Sequence, residues 1–471
     1  MGGFFTLGEI KERPGVYKRY ENIGTETAGV TEKVAAAVIT GNWGPLNTPV
    51  TVGHTDDISA IFGGGNGASV LEQIFYDGPA EAVVVRAGTG GTKATVTLKD
   101  TTSGTALDTV TLTAKYPGNR SLSITVKTSL DDSSTKEATI YEGTKELETR
   151  SFAAVGTVTE KDAFADAFAD SKYVDVTKLQ TGDGGIANVA QAAFTAGTNP
   201  TVDTAAYSAA LSAIEPEVFH YICADTDDTA VHSLLAAFVA RIYQDGAYAR
   251  AVISEPRTVS FDTRVAHARA FNDEKVIYLG NGWKANNGDS FNGYLAAARL
   301  CGMLAACPSN QSLTHATVKG AASLYDGLTN SQIKKALKNG CLVLALNNNR
   351  QVVIEKAINT LVTPATNQDA GWKKIKRTDI RFELMDRIEK AVDGMIGKVN
   401  NDTNGRAAVI AAAQRVIDAM VGEGKIISGN ALQDSTNPPA GDSAWFTVTI
   451  DDIDALETIY LTFRYRFSQN S

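Results

Sequence analysis

Between residues 204 and 346 the chain alternates helical-period stretches with short apolar runs, and few folds accommodate that rhythm. Helices are predicted at 204–214, 229–243, 263–270, 291–306 and 330–338, and strands at 218–223, 248–253, 276–279 and 342–346. Connections this short imply a mostly parallel sheet covered by helices on both faces. Two earlier apolar runs, at 34–40 and 82–87, extend it to six strands, with helices predicted at 56–62 and 69–76 between them. The stretch from Trp43-Gly44-Pro45 to Thr48-Pro49-Val50 reads as a turn-rich link.

Residues Gly63, Gly65 and Ala68 match a dinucleotide-binding GxGxxA spacing. That fingerprint needs a strand directly before it, whereas the preceding residues read as helix, and Arg86 and Gly88 stand where an acid should follow the next strand. A flexible turn is expected instead.

At Gly88 the composition changes. Runs at 93–100, 108–116, 121–129 and 136–141 are rich in Thr, Val and Ile, alternate in polarity and are separated by Gly, Asp and Ser turns. An all-β sandwich inserted into the α/β unit is expected, with a helix at 161–168 and a strand at 173–179 before the chain returns.

Beyond residue 350 come a strand at 352–358, a basic cluster (Lys373, Lys374, Lys376, Arg377), and a helix whose apolar face carries Ile380, Leu384, Ile388, Val392 and Ile396. Asn400, Asn401 and Asn404-Gly405 should stop that helix, and a second is expected at 407–420. Strands are predicted at 445–450 and 458–467. The last reads TIYLTFRYRF, with Ile459, Leu461, Phe463, Tyr465 and Phe467 on one face. So regular a strand at a chain end is an edge awaiting a partner.

This C-terminal order resembles contractile-tail sheath proteins of bacteriophages, R-type bacteriocins and related injection machines. The likeness rests on Ala357-Ile358-Asn359-Thr360-Leu361, the Lys-rich loop, Arg387-Ile388, Gly397-Lys398-Val399-Asn400-Asn401 with Gly405-Arg406, and Asp454-Ala455-Leu456-Glu457. Arg13-Pro14-Gly15-Val16-Tyr17 and the turn Tyr116-Pro117-Gly118-Asn119 are similar to further parts of that family. The resemblance implies an α/β fold (subtilisin-like in shape, without proteolysis) with an inserted all-β sandwich domain and an α+β C-terminal domain with extended terminal arms. The expected divisions are an arm at 1–31, a core at 32–88 plus 197–350, a β domain at 89–196 and a C-terminal domain at 351–471.

It further implies a structural subunit that polymerises around an inner tube by strand exchange and contracts to drive the tube through a target envelope. Arm residues would be Val16, Tyr17 and Lys18 at one end, and Phe446, Val448, Ile450, Ile459, Leu461, Phe463 and Tyr465 at the other. Lys373, Lys374, Lys376, Arg377, Arg381 and Arg387 are candidates for facing the tube. Expected partners are further copies of the chain, the inner tail tube protein, and baseplate and tail terminator proteins. No cofactor is expected.

A second reading is a cytoplasmic Mg-dependent phosphohydrolase. Asp225-Thr226-Asp227-Asp228-Thr229 follows an apolar strand, and its DxDxT spacing echoes haloacid-dehalogenase-type phosphatases using Asp225 and Asp227. The same residues suit the cap of the following helix, and no later acidic cluster stands at a strand end. The five histidines form no HxH or HExxH pattern, and no GxSxG turn is present. Cys223, Cys301, Cys307 and Cys341 lack CxxC pairing and are expected to be thiols.

A net charge of -9 argues against general nucleic-acid binding. No run of apolar residues is long enough to span a membrane, and residues 1–5 lack a signal peptide's basic start. Assembly in the bacterial cytoplasm, followed by release within a phage or bacteriocin particle, is the expected course.

Overall fold

A computed structural model describes residues 33–182, 185–366 and 368–466. They fall into two compact units, 33–382 with 453–466, and 383–452. The larger opens with β1 (Ala35–Ile39), β2 (Pro49–Gly53), α1 (Ile58–Phe62), α2 (Asn66–Tyr76) and β3 (Glu81–Arg86).

An insertion follows: β4 (Thr95–Lys99), β5 (Asp108–Ala114), β6 (Leu122–Thr128), β7 (Lys136–Glu142), β8 (Lys145–Phe152), α3 (Glu160–Ala167), β9 (Val174–Lys178) and β10 (Val189–Ala193). The α/β alternation then resumes as α4 (Thr204–Ile214), β11 (Tyr221–Ala224), α5 (Thr229–Gln244), β12 (Arg250–Ser254), α6 (Phe261–Phe271) and β13 (Val276–Leu279). After β14 (Trp283–Ala285), β15 (Ser290–Phe291), α7 (Tyr294–Ala306) and β16 (Ala321–Leu324) come α8 (Asn330–Lys338), β17 (Cys341–Leu342), β18 (Leu344–Leu346) and β19 (Val352–Ile354).

The central sheet runs β17-β13-β12-β11-β1-β3-β2. Every pairing in it is parallel except β2 with β3. Apolar runs such as Ala35–Ile39 and Tyr221–Ala224 are buried throughout because alternate residues feed cores on opposite faces. Ala35, Ala37, Ile39 and Cys223 meet residues of α2 and α7, while Ala36, Val38 and Ile222 meet residues of α4, α5 and α6.

Seven strands stand where six were predicted, because residues 49–53, expected in a link, form β2. Pro49 fits there as the first residue of an edge strand, where its missing N–H leaves no ladder bond unmade. The predicted strand at 342–346 is divided: β17 stays in the central sheet and β18 pairs with β19. The predicted strand at 352–358 ends at Ile354.

The insertion forms two antiparallel sheets, β4-β5-β9 and β10-β6-β7-β8. Leu98, Val110, Leu112, Ile124, Val126, Ile140, Phe152 and Phe164 share one core between them. Strands β8 and β10 were not anticipated; both are largely polar or half-exposed and carry a weak apolar signal.

Arg86, at the end of β3, joins this insertion to the sheet. Its guanidinium is fully buried and donates to the carbonyls of Gly41 (2.7 Å), Gly44 (2.7 Å) and Pro117 (3.0 Å). Burial lowers its pKa to about 10. Beside it Trp43 lies edge-on to Tyr116 at 5.2 Å, and Arg120 stacks on Trp43 at 5.0 Å.

The last elements are α9 (Ile375–Asp393), α10 (Thr403–Gly422), β20 (Ile426–Gln433) and β21 (Phe446–Asp452). Helix α9 starts earlier and stops earlier than predicted. Ile380 and Leu384 are buried as expected, whereas Ile396 lies past its end and is 74 % exposed. Asn404-Gly405 belongs to the first turn of α10 rather than stopping α9, because the Asp402 carboxylate caps the Gly405 amide at 2.7 Å.

Within residues 383–452, α10 packs on β20, and β20 pairs with β21 as an antiparallel hairpin. Gly429 allows the close approach, since a Cβ there would lie 3.0 Å from Ile417 Cγ2 and 2.9 Å from Ile450 Cγ2.

Candidate assembly surfaces

The predicted arm residues divide three ways. Val16, Tyr17 and Lys18 lie outside the described residues. Phe446, Val448 and Ile450 lie in β21, paired with β20 of the same chain instead of extending freely, because 426–433 supplies a strand that sequence reasoning did not assign. Among the described residues each strand of this hairpin keeps one open edge. Such edges are templates for strand addition.

Ile459, Leu461, Phe463 and Tyr465 lie beyond it in residues 453–466, which make no ladder pairing among the described residues. All four are between 68 % and 82 % exposed. The expected strand at 458–467 is therefore absent from the single chain over its described part: alternation supplies a face, but a ladder also needs a second strand.

The base of this tail is held. Lys374 Nζ lies 2.5 Å from Asp454 and 3.2 Å from Glu457, and Lys356 adds a contact of 3.5 Å to Glu457. Thr314 Oγ1 donates to Glu457 at 2.8 Å while accepting the Ala357 amide at 3.0 Å.

The other cations of the basic cluster also meet groups of this chain. Lys373 donates to the carbonyls of Leu337 (2.6 Å) and Lys338 (3.2 Å), closing the C-terminal end of α8, where a cation is favoured by the helix dipole. Lys376 is buried. Arg377 meets Asp369 at 3.3 Å, and Arg381 stacks on Trp372 at 3.3 Å. Arg387 is buried between Glu383 (2.5 Å) and Glu423 (2.8 Å). Sequence showed the positive charge but not these partners, several of which are remote in the chain.

Asp225 and Asp227, the residues of the phosphohydrolase reading, have structural engagements. Asp225 is buried and accepts from the Thr40 amide and hydroxyl and from the Tyr207 hydroxyl at 2.8 Å, and burial pushes its pKa up. Asp227 accepts the Tyr294 amide at 2.8 Å, capping α7 from a distant loop; burial raises its pKa to about 6. Asp228 caps α5 through the Ala230 amide. Among the described residues, no three His, Cys, Asp or Glu side chains are grouped to hold a metal ion.

The histidines have similar settings. His220 Nδ1 accepts the Val34 amide at 3.1 Å, and His267 Nδ1 lies 2.8 Å from buried Glu255. Cys223, Cys301 and Cys341 are buried free thiols, and Cys307 is partly buried. No described helix is long and apolar enough to cross a membrane.

Sequence comparison fits this architecture piece by piece. Residues 89–199 match the phage tail sheath protein beta-sandwich domain, and residues 201–360 match the phage tail sheath protein central domain. The two matches adjoin and cover more than half of the chain.

The chain belongs to the phage tail sheath protein family.

Sheath-family likeness extends over most of its length. The uncharacterized protein YqbK of Bacillus subtilis is 24% identical over 396 residues, 80% of this chain and 78% of YqbK. The phage-like element PBSX protein XkdK of the same organism is 23% identical over 386 residues, with the same coverage. The sheath tail protein of Desulfitobacterium hafniense superposes with a TM-score of 0.69 at 18% identity, covering 93% of this chain and all of its own. The helical sheath of the anti-feeding prophage in its contracted state gives a TM-score of 0.55 at 10% identity, covering 97% of this chain and 99% of its own. At these identities the superpositions establish a shared fold.

Proposed function

We propose that this sheath-family chain is the structural subunit of a contractile tail sheath. Copies polymerise around an inner tube by exchanging terminal strands, and contraction drives the tube through a target envelope. The observation that carries the reading is the tail at 459–465, an alternating apolar run left in solvent, together with a hairpin whose strands each keep an open edge among the described residues.

Magnitudes favour docking of this tail on another copy. Burying four large apolar side chains contributes about 6–12 kcal/mol at about 1.5–3 each. A few ladder hydrogen bonds at roughly 1 kcal/mol net apiece add less. That total can offset the entropy lost on ordering and docking the tail. A heterologous contact of this kind propagates into helices or stacked rings.

The proposal includes the four-part division at 1–31, 32–88 with 197–350, 89–196 and 351–471. It also includes the tube, baseplate and terminator proteins as partners, and assembly in the bacterial cytoplasm before release in a particle. Lys373, Lys374, Lys376, Arg377 and Arg381 in the larger unit, and Arg387 in the smaller, are proposed to lie toward the tube, several of them held by ion pairs within their own unit rather than as free cations.

Negative-stain microscopy of the purified chain tests the function. Tubes or sheets are expected; a discrete small oligomer with Mg-dependent phosphatase activity would overturn it.

A further inference from the structure

The two ends of the described body are fastened to the same short segment. Lys33, the first described residue, places Nζ 2.7 Å from Asp379, which also meets Arg250 at 2.5 Å and accepts the Tyr221 hydroxyl. Asp454 and Glu457, where the C-terminal tail begins, meet Lys374. Lys374 directly precedes α9 and Asp379 is its fifth residue, so the two attachments are five residues apart.

Their surroundings differ. The side chains of Lys33, Asp379 and Arg250 are 10, 4 and 2 % exposed. Burial alone would raise the Asp379 pKa, but Lys33 and Arg250 outweigh it and the net shift is downward, so the carboxylate stays charged. Opening this cluster strands buried charge, and dissolved salt screens it little. At the other attachment Glu457 is itself buried, at 9 % exposed, but the groups that hold the tail there are not: Lys374 is 23 %, Lys356 39 % and Asp454 43 % exposed, within reach of screening ions. Among the described residues, 453–466 have no ladder pairing to hold them if those contacts open.

We propose that the segment from Lys374 to Asp379 is a common root for both terminal arms, fixed at Asp379 for the first arm and releasable at Lys374 for the second. The inference rests on the sheath reading for its purpose, because only exchanged arms need rooting. When neighbouring copies move, the second arm can swing from its base while the first keeps its departure point.

Proteolysis of the unassembled full chain tests the two attachments directly. A Glu-specific protease reports opening at Glu457, and trypsin reports opening at Lys33. Raising NaCl from about 50 mM to about 1 M, or making Lys356→Ala with Lys374→Ala, is expected to speed cleavage after Glu457 by ~10-fold or more. The bond after Lys33 should stay intact in both salts and become cleavable in Asp379→Asn.

The salt comparison uses the unmodified chain, so it decides the asymmetry even if Asp379→Asn fails to fold. Equal salt sensitivity at both sites, or Glu457 cleavage unchanged by salt and by the double variant, would overturn the proposal. Absence of tubes under the microscope would instead remove the sheath reading and leave these cleavage results standing.

Discussion

The Thr40 backbone amide and Oγ1 both donate to one carboxylate, that of Asp225, at 2.6 Å each. The contact joins the carboxyl ends of β1 and β11, which are parallel neighbours in the central sheet. Asp225→Ala, which leaves the Thr40 amide unpaired, is expected to lower stability to urea by about 1–3 kcal/mol. Asp225→Asn keeps an acceptor and should lower it less. Tubes should still form from Asp225→Asn, and their loss, with the variant folded, would count against a structural role confined to the sheet.

The tail and the hairpin can be separated by truncation. Removing residues 458–471 keeps Asp454, Glu457 and all of β21. Circular dichroism and the sedimentation of a folded single chain should be retained while tubes disappear. Deleting residues 1–20 is expected to do the same. Normal tubes from both truncations would show that strand exchange is not how copies are joined.

Gly118 has φ of +158°, and a Cβ on it would lie 1.9 Å from the Asn42 carbonyl oxygen. Gly118→Ala therefore combines backbone strain with a clash against main chain. A loss of about 2–4 kcal/mol is expected in urea unfolding. Gly104→Ala, also at positive φ but with nothing within 4 Å, isolates the backbone part and should lose less.

Asp227 yields a pH prediction. Burial raises its folded pKa to about 6, whereas an unfolded aspartate titrates near about 3.9. The protonated form is thus the one favoured by folding. Its contribution is complete below about pH 4 and fades as pH rises through about 6. Asp227→Asn cannot ionise and should gain stability relative to the parent across that interval. Melting temperatures at about pH 4 and about pH 7 check the sign, and a variant whose disadvantage grows with pH would contradict it.

Sequence revealed most where one local signal sufficed. Helices α4 and α8 have the limits expected from periodicity, 204–214 and 330–338, and the structure shows why those limits are sharp: Asp203 and Thr329 cap their first turns. Among the strands missed, β2, β8, β10 and β20 are half-exposed or interrupted by polar residues, and β14, β15 and β16 are only two to four residues long, so packing and pairing decide them. For the C-terminal arm residues alternation is the local signal, and it cannot distinguish a hairpin strand such as β21 from a run such as 459–465 that has no ladder partner among the described residues. The basic cluster was visible as charge, yet Lys374 finds Asp454 eighty positions away, and no local pattern records that.

The clamp at Arg86 bears on how such a chain could change the length of an array. Pivoting the sandwich about the central sheet would pull Pro117 from the guanidinium and leave a buried cation short of an acceptor. Sandwich and sheet are therefore one stiff strut, and shortening has to come from joints other than this one.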